Sequence, residues 1–252
     1  YVMAYYNLGF LKHKTQDYLG AIGDFSLVID LDSNYLAAYK YRGNAKAKIK
    51  DYSGAIDDFS KVIEIDPKNA IAYYNRGSAK RRLNDYSGAI ADYTKVIEID
   101  PSNATAYHRR ALAKVESQSQ DFLGAVADLD KALSIDPNYV DSLNFRGDIK
   151  KQFKDYSGAI ADYTKIIDIN PSDSKAYHTR GVVNLKVKNY SASMTDFSKA
   201  IEIDPKYIKA YINRSILNER MGNLQRACAD SREAVSLGYE SVSNKNWIKK
   251  NC

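Results

Sequence analysis

The chain repeats itself at a fixed period. The segments DYSGAIDDFSKVIEIDP from Asp51, DYSGAIADYTKVIEIDP from Asp85, DFLGAVADLDKALSIDP from Asp121, DYSGAIADYTKIIDINP from Asp155 and NYSASMTDFSKAIEIDP from Asn189 follow one another at spacings of 34, 36, 34 and 34. The same small residue marks each copy at Ala21, Ala55, Ala89, Ala125, Ala159, Ser193 and Ala227. Seven copies fill the chain at about 2–35, 36–69, 70–103, 104–139, 140–173, 174–207 and 208–241, leaving a tail at 242–252. A unit this short cannot bury its own apolar side, so each copy must lean on the next.

Each copy reads as two helices. In one of them, Ala72 to Asn84 forms the first and Ser87 to Asp100 the second. Ala89, Ile90, Tyr93, Val96 and Ile97 recur at helical spacing and make one apolar stripe, not the alternation of a strand. Asn84-Asp85 marks the turn between the helices, and Asp100-Pro101-Ser102-Asn103 ends the second, since proline cannot continue a helix. Gly43, Gly77, Gly147 and Gly181 lie inside first helices, where glycine costs roughly 1 kcal/mol against alanine. Their presence predicts close approach of a neighbouring helix. Ala55, Ala89 and Ala159 do the same on second helices, and Tyr73, Phe59 and Tyr93 fill the remaining space.

A charge pattern recurs with the same period. Arg42, Arg76, Arg110, Arg146, Arg180 and Arg214 stand in first helices, and Asp24, Asp58, Asp92, Asp128, Asp162, Asp196 and Asp230 in second helices. Opposite charges at a fixed offset predict partly buried ion pairs, each Arg meeting an Asp of its own or the preceding copy. The competing reading is an exposed arginine ladder for phosphate or acidic peptide.

Tyr73, Gly77, Ala89, Tyr93, Val96 and Pro101 resemble the pattern of the tetratricopeptide repeat family, and the resemblance covers nearly the whole chain. It implies an all-α fold: a right-handed superhelical solenoid of seven antiparallel helix pairs plus a short C-terminal capping helix around Trp247 and Ile248. The terminal copies depart from the pattern, with Ser33 for proline, Ser231 for the aromatic, and Gly238-Tyr239 near the end. Two extra residues within Ser117-Gln118-Ser119-Gln120 should lengthen one inter-helix turn without breaking the stack. The stretch from Ala227 to Cys252 is similar to the endings of many bacterial members of the family.

In that family the first helices line a concave surface. Here the resemblance assigns to the lining Lys40, Asn44, Tyr74, Asn75, Ser78, His108, Arg109, Asp141, Asn144, Asp148, Lys175, His178, Lys209 and Asn213. The set is polar with both signs of charge, which suits an extended peptide. Some members grip a partner's C-terminal carboxylate with five residues on three consecutive repeats. This sequence matches four of them, Lys40 and Asn44 on one helix face, Asn75 on the next and Arg109 on the third, with Thr105 where a second lysine belongs. Coincidence competes with this reading, because Lys and Asn are abundant and Asn75 belongs to a phrase repeated near Asn213.

Catalysis is not expected. His13, His108 and His178 are dispersed, and the sequence holds no His-Glu-x-x-His, no glycine-rich phosphate loop and no Gly-x-Ser-x-Gly. Asp57 and Asp58 point to different helix faces. No cofactor or metal is expected. A net charge of +6 permits an acidic partner and falls short of a nucleic-acid-binding signature. No run of 18 apolar residues exists to span a membrane. Cys228 and Cys252 form no Cys-x-x-Cys motif, so reduced thiols and a mobile Cys252 are expected, with the cytoplasm as default compartment. The chain opens at Tyr1 inside a helical pattern, so its natural N-terminus and any targeting segment are expected to lie outside it. The expected function is a non-catalytic scaffold that binds a peptide or partner segment in its groove. The alternative is an assembly element acting through self-association or docking to a membrane-bound complex.

Overall fold

The computed structural model describes the backbone of residues 1–252 and the side chains of all but 242–245. Helices follow in pairs: α1 (Val2–Lys14) with α2 (Tyr18–Leu31), α3 (Leu36–Lys48) with α4 (Tyr52–Ile65), α5 (Ala70–Arg82) with α6 (Tyr86–Ile99), and α7 (Ala104–Glu116) with α8 (Phe122–Ile135). The series continues with α9 (Val140–Gln152) and α10 (Tyr156–Ile169), α11 (Ser174–Lys186) and α12 (Tyr190–Ile203), α13 (Ile208–Arg220) and α14 (Leu224–Ser236), and then α15 (Val242–Asn251). Among the described residues there is no strand. The helices gather into two compact units, Tyr1–Pro137 and Asn138–Cys252.

Side chains set the helix boundaries. Asp17, Asp51, Asp85, Asp121 and Asp155 accept a hydrogen bond from the backbone N–H three residues on and so start the second helices, and Asn189 does the same for α12. Asn69, Asn103 and Asp173 cap first helices in the same way. First helices end through a residue at positive φ, namely Gln16, Lys50, Asn84, Lys154, Lys188 and Gly222. Only the last is glycine. The two-residue insertion does lengthen one turn: 117–121 joins α7 to α8, where 83–85 joins α5 to α6.

Packing inside a pair depends on a matched exchange of size. A Cβ on Gly43 would lie 3.0 Å from Phe59 Cε1, and one on Gly181 only 2.8 Å from Phe197 Cε1. The aromatic of the second helix fills the space the glycine vacates, and Phe59, Tyr93, Tyr163 and Phe197 are at most 1% exposed. Where the aromatic shrinks, the glycine disappears. Ala111 faces a helix carrying Leu129, and Ser215 shares a 2.7 Å hydrogen bond with Ser231. The departure at Ser231 is thus one half of a compensated pair.

The arginines bind as the ion-pair reading requires. Arg42 donates from Nε and Nη2 to both oxygens of Asp58, at 3.0 and 2.7 Å, inside its own repeat. Its Nη1 reaches back 2.9 Å to the Ser26 hydroxyl of the preceding repeat. Arg76 with Asp92 and Ser60, Arg110 with Asp128 and Thr94, Arg180 with Asp196 and Thr164, and Arg214 with Asp230 and Ser198 repeat the geometry. Arg146 holds Asp162 in the same fork. A second cation backs the aspartate at Lys46, Lys80, Lys114 and Lys150, whereas Asn184 and Asn218 stand there in the last two repeats. Guanidinium groups so engaged form no free ladder for phosphate. In the first repeat Leu8 occupies the arginine position and Lys12 alone pairs with Asp24, at 2.7 Å.

One expectation fails. Cys228 and Cys252 are bonded to each other as a disulfide, so they are neither reduced nor, at Cys252, mobile. The chain turns back through α15, which packs on α14, and this return brings together two cysteines that carry no spacing signal. Arg232 donates to the Cys252 carbonyl at 2.7 Å and Trp247 Nε1 to Glu219 at 2.8 Å. Closing a loop of this length restricts the unfolded chain and stabilises the fold by about 3 kcal/mol.

Two stability measurements check this account. Gly181→Ala should destabilise by about 1–3 kcal/mol in urea unfolding, and Phe197→Leu in the same chain should recover part of the loss, a coupling of about 1 kcal/mol. Arg180→Ala should lower stability by about 3–5 kcal/mol, because only the neutral Asn184 remains beside the buried Asp196. Arg76→Ala should cost less, since Lys80 stays 2.9 Å from Asp92.

Candidate functional site

In the first unit, α3, α5 and α7 carry the residues singled out by the sequence. Asn75 Nδ2 donates to Asn44 Oδ1 at 3.2 Å, tying α5 to α3. Arg109 Nε donates to the Tyr74 hydroxyl at 3.2 Å, tying α7 to α5. Lys40 Nζ rides 4.8 Å above the ring of Tyr41. Lys40, Asn44, Tyr74, Asn75 and Arg109 are all half-buried, so each is partly fixed and partly open to a ligand. Beside them Arg81 grips both oxygens of Glu116, at 2.8 and 2.9 Å, and Ser78 meets the Tyr93 hydroxyl at 3.1 Å. Burial raises the Tyr93 phenol above its ordinary range, so it stays protonated.

Thr105 stands where a clamp lysine would be. With Ala70, Ile71, Tyr74, Val96 and Asn103 it lines a cavity of about 250 Å³. Ile71 is 62% exposed, which gives that cavity an open apolar edge. His108 does not join the lining. It is 5% exposed, one of the buried residues of α7.

In the second unit, α9, α11 and α13 present Asn144, His178 and Asn213, all half-buried, with Asp141, Lys175 and Lys209 exposed. His178 sits between two partners. Asn213 Nδ2 lies 2.8 Å from Nε2, and the Tyr207 hydroxyl 3.2 Å from Nδ1. An amide N–H only donates, so Nε2 accepts and Nδ1 carries the proton. Phe197 and Tyr207 flank the ring. Burial lowers the His178 pKa to about 4, helped by the charges of Lys209 and Lys151, and the ring is neutral at pH 7. Nearby the Tyr163 hydroxyl donates to Asp148 at 2.9 Å; burial and that carboxylate raise its pKa. Tyr207 is not legible from sequence as a site residue, since it lies in the turn before α13, outside the helical register. Asn144 and Lys175 are placed on these helices without a part in the His178 arrangement.

The arrangement is one of hydrogen-bond donors, acceptors and cations on the successive first helices of each unit. Among the described residues there is no group of three or more His, Cys, Asp or Glu side chains able to hold a metal ion. No helix among them is long and apolar enough to cross a membrane.

Models of the tetratricopeptide repeat match residues 70–103, 140–173 and 174–207, and a model described as a TPR repeat matches 43–83. No curated protein sequence matches the chain. Solved structures do. The C-terminal part of a repeat-containing protein from Cytophaga hutchinsonii is similar with a TM-score of 0.85 at 15% identity, covering 96% of this chain and 98% of that one. A tetratricopeptide repeat protein from Parabacteroides merdae is similar with a TM-score of 0.68 at 19% identity, over 98% and 97% of the two chains. YrrB, described as having an unusual peptide-binding site, is similar with a TM-score of 0.64 at 22% identity, over 76% and 97%.

The neutral His178 has a measurable consequence. Its folded pKa lies below the unfolded value, so the unfolded chain takes up a proton that the folded chain refuses. Stability should therefore be lost as pH falls from about 6.5 to 4, and remain level above that window. The thermal midpoint of His178→Gln should lack this component of the acid slope. Equal slopes for the two proteins would contradict the placement of the ring.

Proposed function

The chain belongs to the tetratricopeptide repeat family, whose fold is typically a non-catalytic scaffold for protein–protein interaction, and from that premise we propose that its first unit holds an extended segment of another protein along α3, α5 and α7. The supporting observation is the Lys40, Asn44, Asn75 and Arg109 set. Four polar side chains lie on three successive first helices, which the Asn44–Asn75 and Arg109–Tyr74 hydrogen bonds tie together. Two cations and two amides suit a carboxylate, which a guanidinium can bind in a fork. Thr105 removes one cation from that set and leaves an apolar-edged cavity beside it. The ligand is thus a partner segment whose free C-terminal carboxylate meets Lys40 and Arg109 while an apolar side chain enters near Ile71. The peptide-binding site in the description of YrrB accords with this reading. On the second unit, His178, Asn213, Lys175, Lys209 and Asn144 offer a polar lining of their own to a partner segment.

Self-association is the second reading, and exposed apolar side chains favour it. Met3, Leu11 and Leu19 are 58%, 59% and 72% exposed on α1 and α2, where Leu8 replaces the arginine that elsewhere engages a preceding repeat.

Calorimetry with acidic peptides tests the first reading. Lys40→Ala with Arg109→Ala should weaken binding of a peptide with a free C-terminus about a hundredfold, because two charge-assisted contacts are lost. The same peptide with an amidated end should bind the unaltered protein comparably weakly. Equal affinity for the free and amidated ends would remove the carboxylate grip. Light scattering over a concentration series reads self-association directly.

A further inference from the structure

Tyr6 and Phe10 stand one full period before Lys40 and Asn44, so on α1 they occupy the register positions that the proposed carboxylate site uses on α3. The two helices pack together. One helix outward, the row of ammonium and amide becomes a row of rings. Phe10 meets Tyr41 edge-on at 5.2 Å, Tyr6 lies 6.2 Å from Tyr41, and Tyr6 lies 5.2 Å from Tyr35. Two lysines rest on these rings, Lys14 Nζ 5.4 Å from the centre of Phe10 and Lys40 Nζ 4.8 Å from that of Tyr41.

This cluster differs from the core aromatics. Phe25, against which Tyr6 and Tyr41 pack, is fully buried, whereas Tyr6, Phe10 and Tyr41 keep part of their surface open. Burial and the neighbouring Tyr41 and Tyr35 hold the Tyr6 phenol above its usual pKa, so it remains a donor. Open ring edges, phenol hydroxyls and two ammonium groups at one place recognise an aromatic side chain next to negative charge. A ring adds an offset or edge-on contact to the existing set, and the lysines leave the ring faces for carboxylates.

We infer that Tyr6, Phe10 and Tyr41, flanked by Lys14 and Lys40, form a docking platform for an aromatic side chain of an acidic partner segment. The inference rests on the groove reading above and names the partner more closely. Adjacent packed helices lie about 8–10 Å apart and an extended residue spans roughly 3.3 Å, which sets the ring about three residues from the carboxylate held at α3–α7.

The test uses the full chain and four aspartate-rich octapeptides. Two carry Trp three residues before the C-terminus and two carry Ala there, each made as the free acid and as the amide. The Trp acid should bind about tenfold more tightly than the Ala acid, and Phe10→Ala should erase that advantage while leaving affinity for the Ala peptide unchanged. Because Phe10 also packs on the core, its variant is used only if it melts cooperatively. The exposed Lys14→Glu serves as the second variant and should weaken the Trp acid severalfold. A Trp advantage that persists with the amides, with each amide binding as tightly as its acid, supports the platform while removing the carboxylate grip. Equal affinity of the Trp and Ala peptides overturns the platform and leaves the groove reading standing. Absence of binding by all four overturns both.

Discussion

In the repeats that carry Arg42, Arg76, Arg110, Arg180 and Arg214, the bond that joins a repeat to itself and to its predecessor is the arginine fork. One planar guanidinium closes two hydrogen bonds on the aspartate of its own second helix and sends a third to a hydroxyl of the repeat before, as Arg76 does with Asp92 and Ser60. A lysine could not hold both directions at once, because it lacks the fixed fork. The aspartates that receive the bonds are between 2% and 5% exposed in the repeats that carry the arginine. A charge buried that deeply is tolerated only while its partner stays in place, so the fork fixes helix register more than it adds net stability. Tyrosines such as Tyr73 lie under the guanidinium groups, at 5.5 Å for Arg76, and keep the fork aligned.

The fork works only if the helices of a pair come close, and that is decided by the glycine–aromatic exchange. Gly43 with Phe59 and Gly181 with Phe197 are one solution; Ala111 with Leu129 and Ser215 with Ser231 are two others. Ala111 with Leu129 keeps the volume at the crossing, whereas Ser215 with Ser231 replaces ring packing by a hydrogen bond. The apparent irregularity of the last repeat is therefore a substitution of hydrogen bonding for ring packing. A scaffold fixed this firmly on its inner contacts leaves the residues between them free to vary. On α3, α5 and α7 those residues are Lys40, Asn44, Asn75 and Arg109. Binding chemistry can change along the row without disturbing the stack.

The residues proposed to carry binding are unevenly legible. Lys40, Asn44, Asn75 and Arg109 can be picked out because a fixed period places them on equivalent faces. Tyr6 and Phe10 carry the same signal, one period earlier, but read as ordinary aromatics of an end repeat. His108 shows the limit of the register argument. It is equivalent to His178, yet one is buried and the other half-open between Tyr207 and Asn213. Periodicity fixes the face of a helix and not what the neighbouring helix lays over it.

The sequence by itself determined that helices would form in pairs, one pair to each period, and that Arg and Asp would meet. These follow from local spacing and charge, which act over a few residues or repeat with the period. Only the tertiary structure decided that the third arm of Arg42, Arg76, Arg110, Arg180 and Arg214 reaches a hydroxyl of the preceding repeat. It alone showed that Asn44 and Asn75 bond across two helices, and that Cys228 and Cys252 join. Those contacts link residues 16 to 31 positions apart through helices packed side by side, and no local pattern records which atoms such packing brings within reach.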